Sequence, residues 1–149
     1  PVFFDIRKTE EWPMIKPIER NILVLKQKAK PATKEDISIA RDLIDTLQAH
    51  SEECVGMAAN MIGIPKAIIV VNVGPFLMAM FNPKIIKKTS PFEAEEGCLS
   101  LDGVRKTTRY QTIEVEYQDF SFHKKRQVFH GWTAQIIQHE IDHLDGILI

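Results

Sequence analysis

His139-Glu140-Ile141-Asp142-His143 sets two histidines four residues apart, with a glutamate directly after the first. On an α-helix, residues i and i+4 stack on one face, so both imidazoles can reach a single ion while Glu140 projects beside them. The run Trp132-Thr133-Ala134-Gln135-Ile136-Ile137-Gln138 enters the motif without a breaker, and Gly146 stands where a left-handed cap would end a helix. The spacing therefore predicts a helix of about four turns. Ala134, Ile137, Ile141 and Leu144 recur at three- and four-residue steps, and Trp132, Ile136, His139 and His143 form a second stripe beside them. With both faces expected to be buried, this helix belongs in the middle of the domain. Two histidines in a helix also suit a satisfied core, so the motif reads as a metal site only if a third ligand exists.

Nothing after His143 supplies one, since the chain continues only as Leu144-Asp145-Gly146-Ile147-Leu148-Ile149, and Asp145 points off the ligand face. The third ligand must lie upstream, among Cys54, Cys98, His50, His123 and His130, besides the carboxylates. His50 closes a surface helix, His123 sits in a charged turn, and His130 is too close to the motif helix to reach across it. Cys98 is the best candidate. Gly97 beside it permits close backbone approach, and the acidic pair Glu95-Glu96 before it is more than a turn requires.

The remaining chain supplies the frame. Its 149 residues, 44% hydrophobic and 26% charged, suit one domain over residues 1–149 with a single core. Residues 1–13 have no period and read as an N-terminal arm. Thr33, with Asp36 three residues later, caps a first helix over about residues 34–50, where Ile37, Ala40, Leu43, Ile44 and Leu47 give the amphipathic period. Ile68 to Val73 reads as a buried strand, and Leu77 to Phe81 as a second strand that Asn82-Pro83 breaks. Ile113, Val115 and Tyr117 alternate with polar residues in a half-exposed strand, His123 to Arg126 is a turn, and Val128-Phe129 returns. This order gives an α+β class of mostly antiparallel sheets packed around a central metal-binding helix. A net charge of −1 without a block of like charge argues against nucleic acid as a partner. The absence of a long apolar run or signal sequence argues against a membrane and for the cytoplasm. In a reducing compartment Cys54 is expected to be a free, buried thiol.

Three segments carry a resemblance. Gly56-Met57-Ala58-Ala59-Asn60-Met61-Ile62-Gly63, Glu96-Gly97-Cys98-Leu99-Ser100 and Gln138-His139-Glu140-Ile141-Asp142-His143-Leu144-Asp145-Gly146 resemble, in order and spacing, the three signature motifs of the peptide deformylases. The resemblance implies a hydrolase that removes the formyl group from the N-terminal methionine of newly made polypeptides. It further implies one divalent metal ion held by Cys98, His139 and His143: ferrous iron in the cell, with zinc, nickel or cobalt as substitutes. Glu140 is then the general acid/base, the backbone N–H of Leu99 receives the formyl oxygen, and Val55, Gly56, Met61 and Gly97 bind the substrate. The chain departs from the family pattern in the first motif, where Cys54 replaces a glycine and Met61 stands in place of a glutamine that would donate a hydrogen bond. Leu101-Asp102-Gly103 replaces a stretch where proline is common. The chain stops at Ile149 without a C-terminal helix extension, so ribosome docking through such a helix is not supported. Met61 keeps two alternatives open: a deformylase-like metal-binding protein that is catalytically weak or inactive, and a related amidase acting on another N-acyl group.

Overall fold

A computed structural model describes residues 14–149, and the arm expected at residues 1–13 lies outside them. Along the chain come α1 (Ile22–Leu25), a 3-10 turn (Lys34–Asp36), α2 (Ile37–Ala49), β1 (Gly56–Ala58) and a second 3-10 turn (Ala59–Ile62). After these follow β2 (Ile68–Val73), β3 (Phe76–Cys98), β4 (Leu101–Gln118), β5 (Lys124–His130) and α3 (Gly131–Leu144). The strands form one antiparallel sheet in the order β1-β2-β3-β4-β5, and with its helices this is an α+β fold. Thr33 caps the 3-10 turn that leads into α2, so the helix expected from residue 34 begins as a 3-10 turn and becomes α-helical at Ile37. The Thr33 side chain accepts from Glu35 N–H, and the Asp36 carboxylate accepts from Thr33 N–H in return.

Strand β2 positions everything else. Its side chains alternate, and both faces are covered: Ile68 and Val70 pack with Ala40, Leu43 and Leu47 of α2, whereas Ile69 and Val71 pack with Ala134, Ile136 and Ile137 of α3. A strand covered on both faces reads as an unbroken apolar run, which is why Ala67 to Val71 shows no polar alternation. Helix α3 thereby sits on the sheet along one buried face.

Three expectations need correction. Asn82-Pro83 does not end β3, which continues to Cys98 through register irregularities at Phe81/Lys84, Ile85/Lys87 and Gly97/Cys98. Asn82 takes a left-handed backbone (φ 53), which asparagine tolerates, and its side chain bonds both backbone groups of Ala32 and the Gln118 amide, so the bulge is held rather than broken. The last turn closes earlier than expected. Asp119 accepts the N–H groups of Ser121 and His123, and β5 is paired from Lys124 onward. Trp132 is not part of a buried stripe, being 62% exposed in the first turn of α3. Among the described residues no helix is long and apolar enough to cross a membrane.

Candidate metal centre and active-site cavity

Helix α3 is stopped where its motif requires. Gly146 has φ 76, its N–H reaches the His143 carbonyl and Ile147 N–H reaches the Asp142 carbonyl, the paired bonds of a left-handed cap. Any Cβ on Gly146 would also strike the Lys26 backbone carbonyl. At mid-helix, Gln138 behaves like a strand residue: its side chain accepts from Tyr110 N–H and donates to Tyr110 C=O, both at 2.8 Å, fastening α3 to β4.

Held in this way, α3 brings His139 and His143 against Cys98 at the end of β3. His143 Nε2 lies 3.3 Å from Cys98 Sγ and 3.1 Å from His139 Nε2, and the three donor atoms fall within 4.8 Å of one another. Metal bonds of about 2.0–2.3 Å in a tetrahedron separate ligand atoms by roughly 3.3–3.8 Å, so the set fits one small dication. It fits chemically as well, offering one soft sulfur and two imidazole nitrogens.

The ring of His139 is held from behind. Its Nδ1 lies 2.8 Å from Glu96 Oε1, and because a carboxylate only accepts, Nδ1 carries the proton and Nε2 is left free toward the ligand set. Glu96 is itself clasped by Arg109, through Nε at 3.0–3.1 Å and Nη2 at 2.7 Å, and by Gln135 at 2.8 Å; Arg109 also reaches Asp142 at 2.6 Å. Burial works against the Glu96 charge, but the donors from His139, Arg109 and Gln135 outweigh it and hold the carboxyl at about 2. Without an ion the two histidines diverge. Burial opposes charge on His139, yet its Cys98 and Glu96 contacts raise it to about 10, while burial and the neighbouring His139 and Arg109 charges push His143 down to about 3. Both rings must be neutral to ligate.

Glu140 faces the cavity from the same helix. It is 4% exposed, its Oε1 has no hydrogen-bond partner, and burial raises it to about 7, the range in which a carboxyl both takes and returns a proton. Gly56 makes room for it, since a Cβ there would stand 2.9 Å from Glu140 Oε2 and 2.7 Å from Ile136 Cγ2. The cavity, about 530 Å³, is lined by Val55, Gly56, Met61, Gly97, Cys98, Leu99, His139 and Glu140, so every site residue predicted from sequence meets there except His143, which lies fully buried behind it. Cys54 also lines the cavity as a free thiol. Its Sγ bonds the Gly56 carbonyl, and burial, with Glu140 adding to it, pushes the thiol up to about 12. The other upstream candidates stay away: His50 lies beside Glu53, His123 donates its backbone N–H to Asp119 in a turn, and His130 bonds Thr112 on the sheet edge. Sequence reasoning flagged Glu96 only as an unexplained acid and missed Arg109, Gln135 and Gln138. No local pattern marks these, because each acts on a residue 13 or more positions away.

The family model described as polypeptide deformylase matches residues 15–149. The chain is 60% identical to the peptide deformylase of Clostridium beijerinckii over 136 residues, covering 91% of this chain and 100% of that one. Its fold is similar to the crystal structure of peptide deformylase from Thermotoga maritima (TM-score 0.81, 31% identity, 90% of this chain and 94% of that chain). It is also similar to a class I type b peptide deformylase from Acinetobacter baumannii with Met-ala-ser bound (TM-score 0.82, 29% identity, 90% and 96%).

Proposed function

Because the chain belongs to the peptide deformylase family, we propose that it is a metal-dependent hydrolase that removes the formyl group from the N-terminal methionine of newly made polypeptides, in the cytoplasm. The observation that carries this reading is the unpartnered, buried Glu140 carboxylate opening into the same cavity as the convergent Cys98, His139 and His143 donors.

Cys98, His139 and His143 would hold one divalent ion, ferrous in the cell and replaceable by zinc, nickel or cobalt. When bound, such an ion supplies Lewis acidity, polarising an oxygen and bringing the pKa of water toward neutrality. Glu140 takes one proton from the attacking water as its oxygen adds to the formyl carbon. It then passes that proton to the amide nitrogen as the C–N bond breaks, leaving formate and a free methionine amine. Negative charge gathers on the formyl oxygen in between, and the Leu99 backbone N–H is the donor placed next to Cys98 to receive it. Val55, Gly56 and Gly97 line the walls along which the peptide would lie. The crystallised relative with Met-ala-ser bound supports a methionyl peptide as the occupant.

Formate release from formyl-Met-Ala-Ser by iron- or cobalt-loaded protein tests the reading. Glu140→Ala should reduce the rate by at least a hundred-fold while metal content stays unchanged. A second reading, a metal-binding protein of weak or no activity, is favoured by Met61, which lines the cavity and has no side-chain N–H to give. Metal-loaded protein that releases no formate would select it.

A further inference from the structure

Asn60 enters neither the ligand set nor the proton chemistry, yet it is 1% exposed and tied to both helical ends near the site. Its Nδ2 donates to the His143 carbonyl and, at 3.5 Å, lies against the Leu25 carbonyl. Two carbonyls on one side fix which end of the amide is nitrogen, so Oδ1 faces the other way. There it is buried with no partner among the described residues. His143 shows the complementary defect. Its ring is fully buried, its Nε2 faces Cys98 and His139, and its Nδ1 has no partner.

A neutral imidazole that offers Nε2 to an ion carries its proton on Nδ1. The ligating form of His143 therefore has a buried donor without an acceptor, and Asn60 has a buried acceptor without a donor, in two residues already joined by the bond from Asn60 Nδ2 to the His143 main-chain carbonyl. Ligating histidines nearly always donate from the second nitrogen. Glu96 serves His139 in that way, and no described residue serves His143.

We propose that Asn60 is the positioning residue for His143, its side-chain carbonyl taking the Nδ1–H through one buried water. The inference rests on the metal-centre reading above. It also makes the two histidines unequal: a clasped carboxylate backs His139, while a neutral amide backs His143. The competing acceptor is Ser100 Oγ, which is also buried and unpartnered and lies two residues from Cys98.

The test uses zinc-loaded protein and needs no turnover. Long-range proton–nitrogen NMR of 15N-histidine protein should show His143 protonated on Nδ1, with that proton exchanging slowly. Asn60→Leu, close in shape but without an acceptor, should weaken zinc binding by about 10–100-fold in competition with a chromophoric chelator and speed exchange of that proton. Asn60→Asp, measured at pH 6, where a buried acid between two carbonyls stays protonated, keeps one donor and one acceptor and should hold zinc within a few-fold of wild type. Melting each metal-free variant separates loss of fold from loss of affinity. Wild-type zinc affinity in folded Asn60→Leu overturns the proposal, as does a loss of affinity in Ser100→Ala that Asn60→Leu does not share. If Asn60→Leu does not fold, a fast-exchanging Nδ1–H in the wild type, or a large affinity loss in Asn60→Asp, overturns it instead. Full zinc retention by Cys98→Ser would sink the metal-centre reading rather than the role of Asn60.

Discussion

At position 61 a thioether stands in the wall of the cavity, and in the proposed reaction an amide there is what would give the formyl oxygen a second donor. Met61 is 1% exposed and its Sδ rests 3.5 Å from the Ala58 nitrogen, so the side chain is packed and turned toward backbone. One oxyanion donor is worth on the order of a hundred- to thousand-fold in rate. Met61→Gln should therefore raise kcat/KM for formyl-Met-Ala-Ser by about a hundred-fold, at a stability cost of about 1–3 kcal/mol if the new amide finds no partner before substrate arrives. A folded, metal-loaded variant with the wild-type rate would show that the oxyanion is served from elsewhere. The candidate ligands and the proposed acid/base residue were legible because their chemistry is local: His139, Glu140 and His143 lie on one helix, and Cys98 is flanked by Gly97. Arg109 was not, since it is an ordinary basic residue in a strand until folding puts Glu96 and Asp142 on either side of it.

Between elements, the Glu96–Arg109–Asp142 chain joins β3, β4 and α3 in one buried ionic network. Its pH dependence follows from the Glu96 carboxyl, held at about 2 against an ordinary value of 4.5. A depressed acid stabilises the fold fully above its unfolded value and loses that stabilisation as the pH falls through its folded one. The loss here is about 3 kcal/mol, spread between pH ~4.5 and ~2. Urea unfolding of metal-free protein across that window should show the decline, and Glu96→Gln should flatten it while lowering stability at neutral pH by about 1–3 kcal/mol, because the buried Arg109 then keeps Asp142 as its one charged partner. A wild-type curve that stays level through this range contradicts the network's role. At the end of α3, Gly146→Ala faces both a left-handed backbone and the Lys26 carbonyl. It should cost about 2 kcal/mol or more, read as a lower melting temperature. Element types were well signalled by periodicity and by the Thr33 and Gly146 caps. The length of β3 was not, because Asn82-Pro83 looks like a stop until the side-chain bonds of Asn82 are seen to carry the ladder across it.

Across the described residues, the candidate donor set links the far end of the long β3 to α3, so an ion held there would cross-brace parts of the chain 41 to 45 residues apart. Binding only the folded form at a hundred times its dissociation constant adds about 2.7 kcal/mol. Chelation should thus lower the melting temperature by about 5–10 °C for a chain of this size, and an unchanged melt after confirmed metal removal would count against the ligand assignment. The sheet is a plain meander, each strand pairing with the one before it in sequence, and Glu140 with both histidines comes after all five. During synthesis on a ribosome this arrangement sets a schedule. A growing copy can close its strands one by one as they emerge, yet it owns no proton carrier and at most one of its three donors until residue 139 appears. Onset of activity in a population of nascent copies should therefore come as a late step and not as a gradual rise with length.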